Sequence, residues 1–128
     1  MGAMKLTPRV EALRGQPVDG ARFTGPASGH VLLVNEEPNR VAVSMVHFEP
    51  GSRNHWHAHS GGQLLHVVKG SGYVQARGGP LQAIAEGDSI SAAPGEQHWH
   101  GAGRSGSMAH VAVTIGQIEW LEEAPPPD

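Results

Sequence analysis

The chain has 128 residues, nine of them histidine, with 18 glycines, 10 prolines, no cysteine and a formal charge of −3. That length supports one domain with a single core, and the glycine and proline content suits short strands joined by tight turns. Disulfides, thiolate metal sites and thiol nucleophiles are excluded, no basic cluster points to nucleic acid, and no apolar run approaches the roughly 20 residues of a membrane span.

Met1-Gly-Ala-Met4 reads as a cloning scar, and residues 1–20 form an arm with a short helical turn at Val10 to Arg14 ended by Gly15 and Pro17. No signal-peptide h-region opens the chain, so a cytoplasmic protein is expected. Ala21 to Thr24 is a strand candidate stopped by Gly25-Pro26. His30 to Val34 and Arg40 to Phe48 read as a hairpin around Asn35-Glu-Glu-Pro-Asn39. Leu64 to Val68 and Tyr73 to Arg77 read as two strands separated by a turn at Lys69-Gly-Ser-Gly72. Leu81 to Ala85, Ser89 to Ala92, Gln97 to His100 and Met108 to Ile115 follow, with a polar loop at Gly101 to Gly106. Ile118 to Leu121 is a terminal element and Ala124 to Asp128 a Pro-rich tail. Strands with turn signals about every 8 to 12 residues predict an all-β barrel or sandwich over residues 21–123.

The chemistry concentrates in two stretches. Gly51 to Gly70 holds His55, His57, His59 and His66. In a strand, residues two apart share a face, so His57 and His59 present two imidazoles side by side. Ser60-Gly61-Gly62 then turns the chain and delivers Gln63, a third donor. The second stretch, Gly87 to Gly101, passes a Pro94-Gly95 turn and brings His98 and His100, again two apart. His100 shares the parity of His98, and His110, on the last long strand with Met108 and Ala112, can face the same cavity. Either one suits a general acid/base, because an imidazole titrates near neutral pH; the structural alternative is a hydrogen bond that orients a ligand. His55 is placed at the cavity mouth, His47 and His66 read as structural, and His30 is uninformative. Trp56 and Trp99 stand on the opposite strand face from their histidine neighbours, as packing residues. Leu65, Val67, Val43, Met45 and Phe48 are expected to wall a mainly apolar pocket.

These spacings resemble the paired motifs of the cupin superfamily. Gly51, His57, His59 and Gly70 fit the first motif, with Gln63 where the family usually has Glu, and Gly87, Pro94, Gly95 and His98 fit the second. Ala102 stands where an asparagine often follows. The resemblance implies a jelly-roll barrel in which His57, His59, Gln63 and His98 hold one divalent transition metal per chain. Sulfur-free donors suit Mn, Fe, Co, Ni or Zn. Gln in place of Glu removes a negative charge and makes the metal more electrophilic. Further stretches, among them Trp56-His-x-His59, Gly62-Gln63, His98-Trp-His100-Gly-Ala102, Met108-x-His110 and Glu119-Trp-Leu-Glu122, are similar to the bacterial cupin hydroxynitrile lyases and to small cupins described with carboxymuconolactone decarboxylases. That likeness favours Mn, assigns proton transfer to His100, and implies a lyase cleaving or forming a C–C bond in a small-molecule substrate. It also implies a homodimer. A quercetinase-like dioxygenase and a non-catalytic metal-binding or small-molecule-binding module are the alternatives.

Overall fold

The alternation along Met108–Ile115 organises the molecule: Met108, His110 and Ala112 turn inward, while Val111, Val113 and Ile115 face out. In the computed structural model, which describes residues 4–128, this strand is the centre of an antiparallel barrel of jelly-roll type. The elements in chain order are α1 (Arg9–Arg14), β1 (Gln16–Pro17), β2 (Phe23–Thr24), β3 (Ala27–Asn35), β4 (Val41–Phe48), β5 (Arg53–Asn54) and β6 (His57–His59). They continue as β7 (Gln63–Ala76), β8 (Leu81–Ala85), β9 (Ser89–Ala92), β10 (His98–Ala102), β11 (Met108–Ile115) and β12 (Ile118–Trp120). The path β1-β3-β4-β11-β7-β10-β5-β2 is continuous, with β8 and β9 pairing β7 and with β6 pairing both β10 and β12. The all-β fold class is as expected. No helix among the described residues is long and apolar enough to cross a membrane. The cloning-scar reading of Met1 to Met4 lies mostly outside the described residues.

β7 corrects the sequence reading. The expected turn at Lys69 to Gly72 is absent, and one 14-residue strand runs from Gln63 to Ala76. Its first half pairs β11 and β9, its second half β10 and β8, so β7 passes from one side of the barrel to the other. The pairing with β11 slips between Ala109 and His110, a bulge that bends the strand. The glycines serve close approach rather than reversal. A Cβ on Gly70, whose φ is +74°, would overlap the Ser107 carbonyl, and one on Gly72 would overlap the Gly101 carbonyl.

Parity on β4 also differs from expectation. Ser44 and Val46 line the interior, and Val43 and Met45 face out; Phe48, at the inward parity, is fully buried. Two apolar clusters result. Phe48, Val67, Val74, Ile84, Ala102 and Met108 fill one end of the barrel. Trp56, Trp99 and Ala124 pack outside it with Tyr73 and Leu121, which agrees with the packing role expected of both tryptophans. Trp99 alone contributes roughly 4 to 6 kcal/mol by area, for about 150 to 250 Å² at about 25 cal/mol/Å². The C-terminal segment is pinned there. Arg53 Nε donates to the Ala124 carbonyl (3.0 Å), and Arg77 forks onto Glu122 (2.7 and 3.0 Å) above the Trp56 ring.

Candidate metal centre

β6 and β10 are antiparallel neighbours, and His57 and His98 are direct cross-strand partners, so both rings enter the barrel side by side with centroids 4.4 Å apart. His59, two residues along β6, follows at 5.1 Å from His57. The turn Ser60-Gly61-Gly62 then sets Gln63 at the start of β7, where Gly62, at φ +92°, donates to the His59 carbonyl. Gln63 Oε1 arrives 2.7 Å from His98 Nε2. All four expected ligands are therefore buried on one wall. His100, two along β10, and His110, from β11, stand beside them, with His110 Nε2 3.0 Å from His100 Nδ1.

The tautomers of two rings follow from their partners. A carbonyl can only accept, so Nδ1–H donates from His57 to the His55 carbonyl (2.8 Å) and from His98 to the Glu96 carbonyl (3.0 Å). Each neutral ring then turns a bare Nε2 inward. Burial, reinforced by neighbouring imidazoles, lowers the His57 pKa to about 3, and burial then His98 lowers that of His59 to about 4. Burial also depresses His98, lowers His110 to about 4, and with His110 holds His100 well below the ordinary histidine range. At neutral pH these are lone-pair donors, the state a metal requires.

Three observations fit a bound cation. His59 Nε2 is buried with no hydrogen-bond partner. His98 Nε2 and Gln63 Oε1 oppose two lone pairs at 2.7 Å, a contact relieved by a proton, by an inverted amide or by a cation shared between them. The donor set is nitrogen and oxygen without sulfur, suited to first-row divalent ions. The tightest trio of ring nitrogens is His57, His98 and His100, within 4.8 Å of one another, so His100 competes with His59 for a ligand position. Their partners separate them: His100 is engaged by His110 and Asn54, whereas His59 Nε2 has none.

Sequence reasoning missed Asn54. Its Oδ1 accepts the His100 backbone N–H at 2.9 Å, and its Nδ2 lies 3.2 to 3.3 Å from the ring nitrogens, fixing backbone and ring together. The strand breaks between β5 and β6, so His55 does not continue the parity of His57. Asn54 reaches the cavity and His55 does not. Phe23 and Trp120 were missed as well. Trp120 packs against His57 at 5.0 Å, the rings tilted by 43°, and Phe23 lies 5.9 Å from Trp120, forming an aromatic wall. The cavity measures about 230 Å³. A second one of about 140 Å³, lined by Leu65, Val74 and Ile90, abuts it at Gln63. His66, on the outer face, pairs with Ser89 Oγ at 2.8 Å, and His47 faces Glu49 at 3.7 Å.

The cupin domain profile matches residues 44–115, which span more than half of the chain, from β4 through β11. The chain belongs to the cupin family. This cupin is 39% identical over 104 residues to the (R)-mandelonitrile lyase of Granulicella tundricola, covering 78% of this chain and 79% of that protein. It superposes with a TM-score of 0.82 on the crystal structure of a cupin-like protein from Thermotoga maritima, at 35% identity and 87% coverage of both chains. An acetylacetone dioxygenase from Acinetobacter johnsonii shares the fold, with a TM-score of 0.76 at 14% identity over 95% of this chain and 81% of its own.

Proposed function

We propose that this cupin is a divalent-metal-dependent lyase of hydroxynitrile type, acting on small cyanohydrins or closely related hydroxyl and carbonyl compounds. The observation that carries the reading is a cluster of buried neutral imidazoles with Gln63, beside a hydrogen-bonded His100–His110 pair that lines the same cavity as His57, His59 and Gln63. The 39% identity to a mandelonitrile lyase supports the reaction class. His57, His59, Gln63 and His98 would hold the metal, with manganese the first candidate. Bound there, it supplies a Lewis acid for the substrate oxygen.

The protein's own residues handle the proton. Neutral His100 accepts the hydroxyl proton as the bond between the carbinol carbon and the nitrile carbon breaks. The aldehyde forms, and the same proton passes from His100 to the departing cyanide, giving HCN. His110, 3.0 Å away, takes a share of the charge on the imidazolium, and Asn54 keeps the ring aimed. Phe23 and Trp120 exclude water and offer an apolar seat for the substrate's side chain. A homodimer belongs to the same proposal. The outer face of β4, β11 and the first half of β7 carries Val43, Met45, Val113 and Leu64, with His66 beside Leu64, and sedimentation velocity measures the outcome.

Elemental analysis of protein purified without chelator is the decisive experiment. About one metal per chain is expected, lost in His98→Ala and His59→Ala and kept in His100→Ala, together with cyanide release from mandelonitrile that His100→Ala abolishes. A chain that stays metal-free after soaking in Mn, Fe, Co, Ni and Zn salts overturns the reading. Oxygen uptake on a chelating enol in place of cyanide release moves the assignment to a dioxygenase.

A further inference from the structure

Fifteen residues line the cavity, and among the described residues Arg40 is the one lining side chain with a permanent charge. It sits at the rim, just before β4, where its backbone carbonyl accepts the Gly116 N–H at 2.7 Å. Arg40 and Gly116 border both this cavity and a wider surface depression that contains Glu36. The guanidinium is partly exposed, and its Nε lies 3.5 Å from Glu36 Oε2. An ion pair so open to solvent is weak and readily exchanged, and a guanidinium fork matches a carboxylate in two-point geometry. Thr114 lies opposite both Ala42 and Gln63, so Arg40 stands two residues beyond the Gln63 level, about 7 Å along the strand.

We propose that Arg40 reads a carboxylate on the substrate. The cavity takes a small molecule with its reacting hydroxyl or carbonyl at the histidine wall and a carboxylate at the opposite end. That carboxylate displaces Glu36 from the guanidinium, so Glu36 acts as its stand-in when the cavity is empty of substrate. The inference rests on the proposed function only in taking this cavity as the place of reaction. It narrows the substrates from neutral cyanohydrins to those that carry an acid group.

Calorimetric titration with benzyl alcohol and 4-(hydroxymethyl)benzoate, at low and at moderate salt, tests it on the protein as purified and after chelation. These probes differ by the carboxylate alone and do not turn over. The acid is expected to bind about tenfold more tightly, the size of a charge-assisted fork at a partly wet rim. Arg40→Gln should remove the preference, Arg40→Lys should keep part of it, and Glu36→Gln should increase affinity for the acid. Equal affinities in the native protein, or a preference that survives Arg40→Gln, overturn the proposal. Cyanide release from mandelonitrile without any carboxylate preference refutes the role of Arg40 and leaves the lyase reading standing. Carboxylate preference without cyanide release from mandelonitrile or 4-carboxymandelonitrile does the reverse.

Discussion

Acid should destabilise the metal-free protein far above the pH at which carboxylates protonate. His57, His59 and His110 have ordinary values of 6.5 and folded values of about 3, 4 and 4, lowered first by burial. Above pH 6.5 both folded and unfolded chains hold these rings neutral, so the groups leave stability unchanged there. As pH falls below 6.5 the unfolded chain takes up protons that the folded chain refuses, and stability drops until the folded values are reached near pH 3 to 4. At pH 5 each ring has lost about 1.5 units of that window, or about 2 kcal/mol at 1.36 kcal/mol per unit. Three rings give at most about 6 kcal/mol, of the order of a whole domain's stability of roughly 5 to 15 kcal/mol. Thermal melts of chelator-treated protein should therefore fall by roughly 15 °C or more between pH 7 and pH 5. His110→Gln should flatten this slope by about 2 kcal/mol at pH 5, since one titrating ring is gone. Added metal should raise the melting temperature most near neutrality and lose its effect in acid, because ligand rings must release protons to bind it. A melting temperature that stays level from pH 7 to pH 5 in the metal-free protein would refute the burial argument.

Three further outcomes follow from single contacts. Asn54→Leu removes both hold points on His100 and leaves its backbone N–H buried and unpaired, at a cost of about 1 to 3 kcal/mol. It should lower kcat for cyanide release while metal content and KM change little. Gly72→Ala drives a Cβ into the Gly101 carbonyl and against Met108 Sδ at 2.8 Å, so chemical denaturation should show a loss of about 3 kcal/mol or the variant should fail to fold. Gln63→Glu places a carboxylate among the histidines: metal retention during dialysis should rise, and cyanide release should fall as the centre becomes less electrophilic.

The histidine wall was legible because its logic is local. Side chains two apart on a strand share a face, whatever the rest of the chain does, so His57 with His59 and His98 with His100 could be paired from spacing alone. The same locality made Met108 to Ile115 readable to the residue. Which face points inward is not local. It depends on the neighbouring strands, and on β4 it set Ser44 and Val46 inward where Val43 and Met45 were expected. Glycine signals are ambiguous for a similar reason. Gly70 and Gly72 look like a turn, yet they exist to let other backbones pass close, and only the packed chain shows Ser107 and Gly101 against them. Asn54, Phe23 and Arg40 carry no motif, and the Glu119 to Glu122 stretch does not say that Trp120 faces the histidines. All four reach the cavity because β2, β5, β12 and the end of the β3–β4 turn converge on it. The sequence by itself determined the fold class and which histidines share a strand face, since alternation and spacing are written residue by residue. Tertiary structure alone decided what faces those histidines across the cavity, because contacts between distant segments depend on how the whole sheet curls.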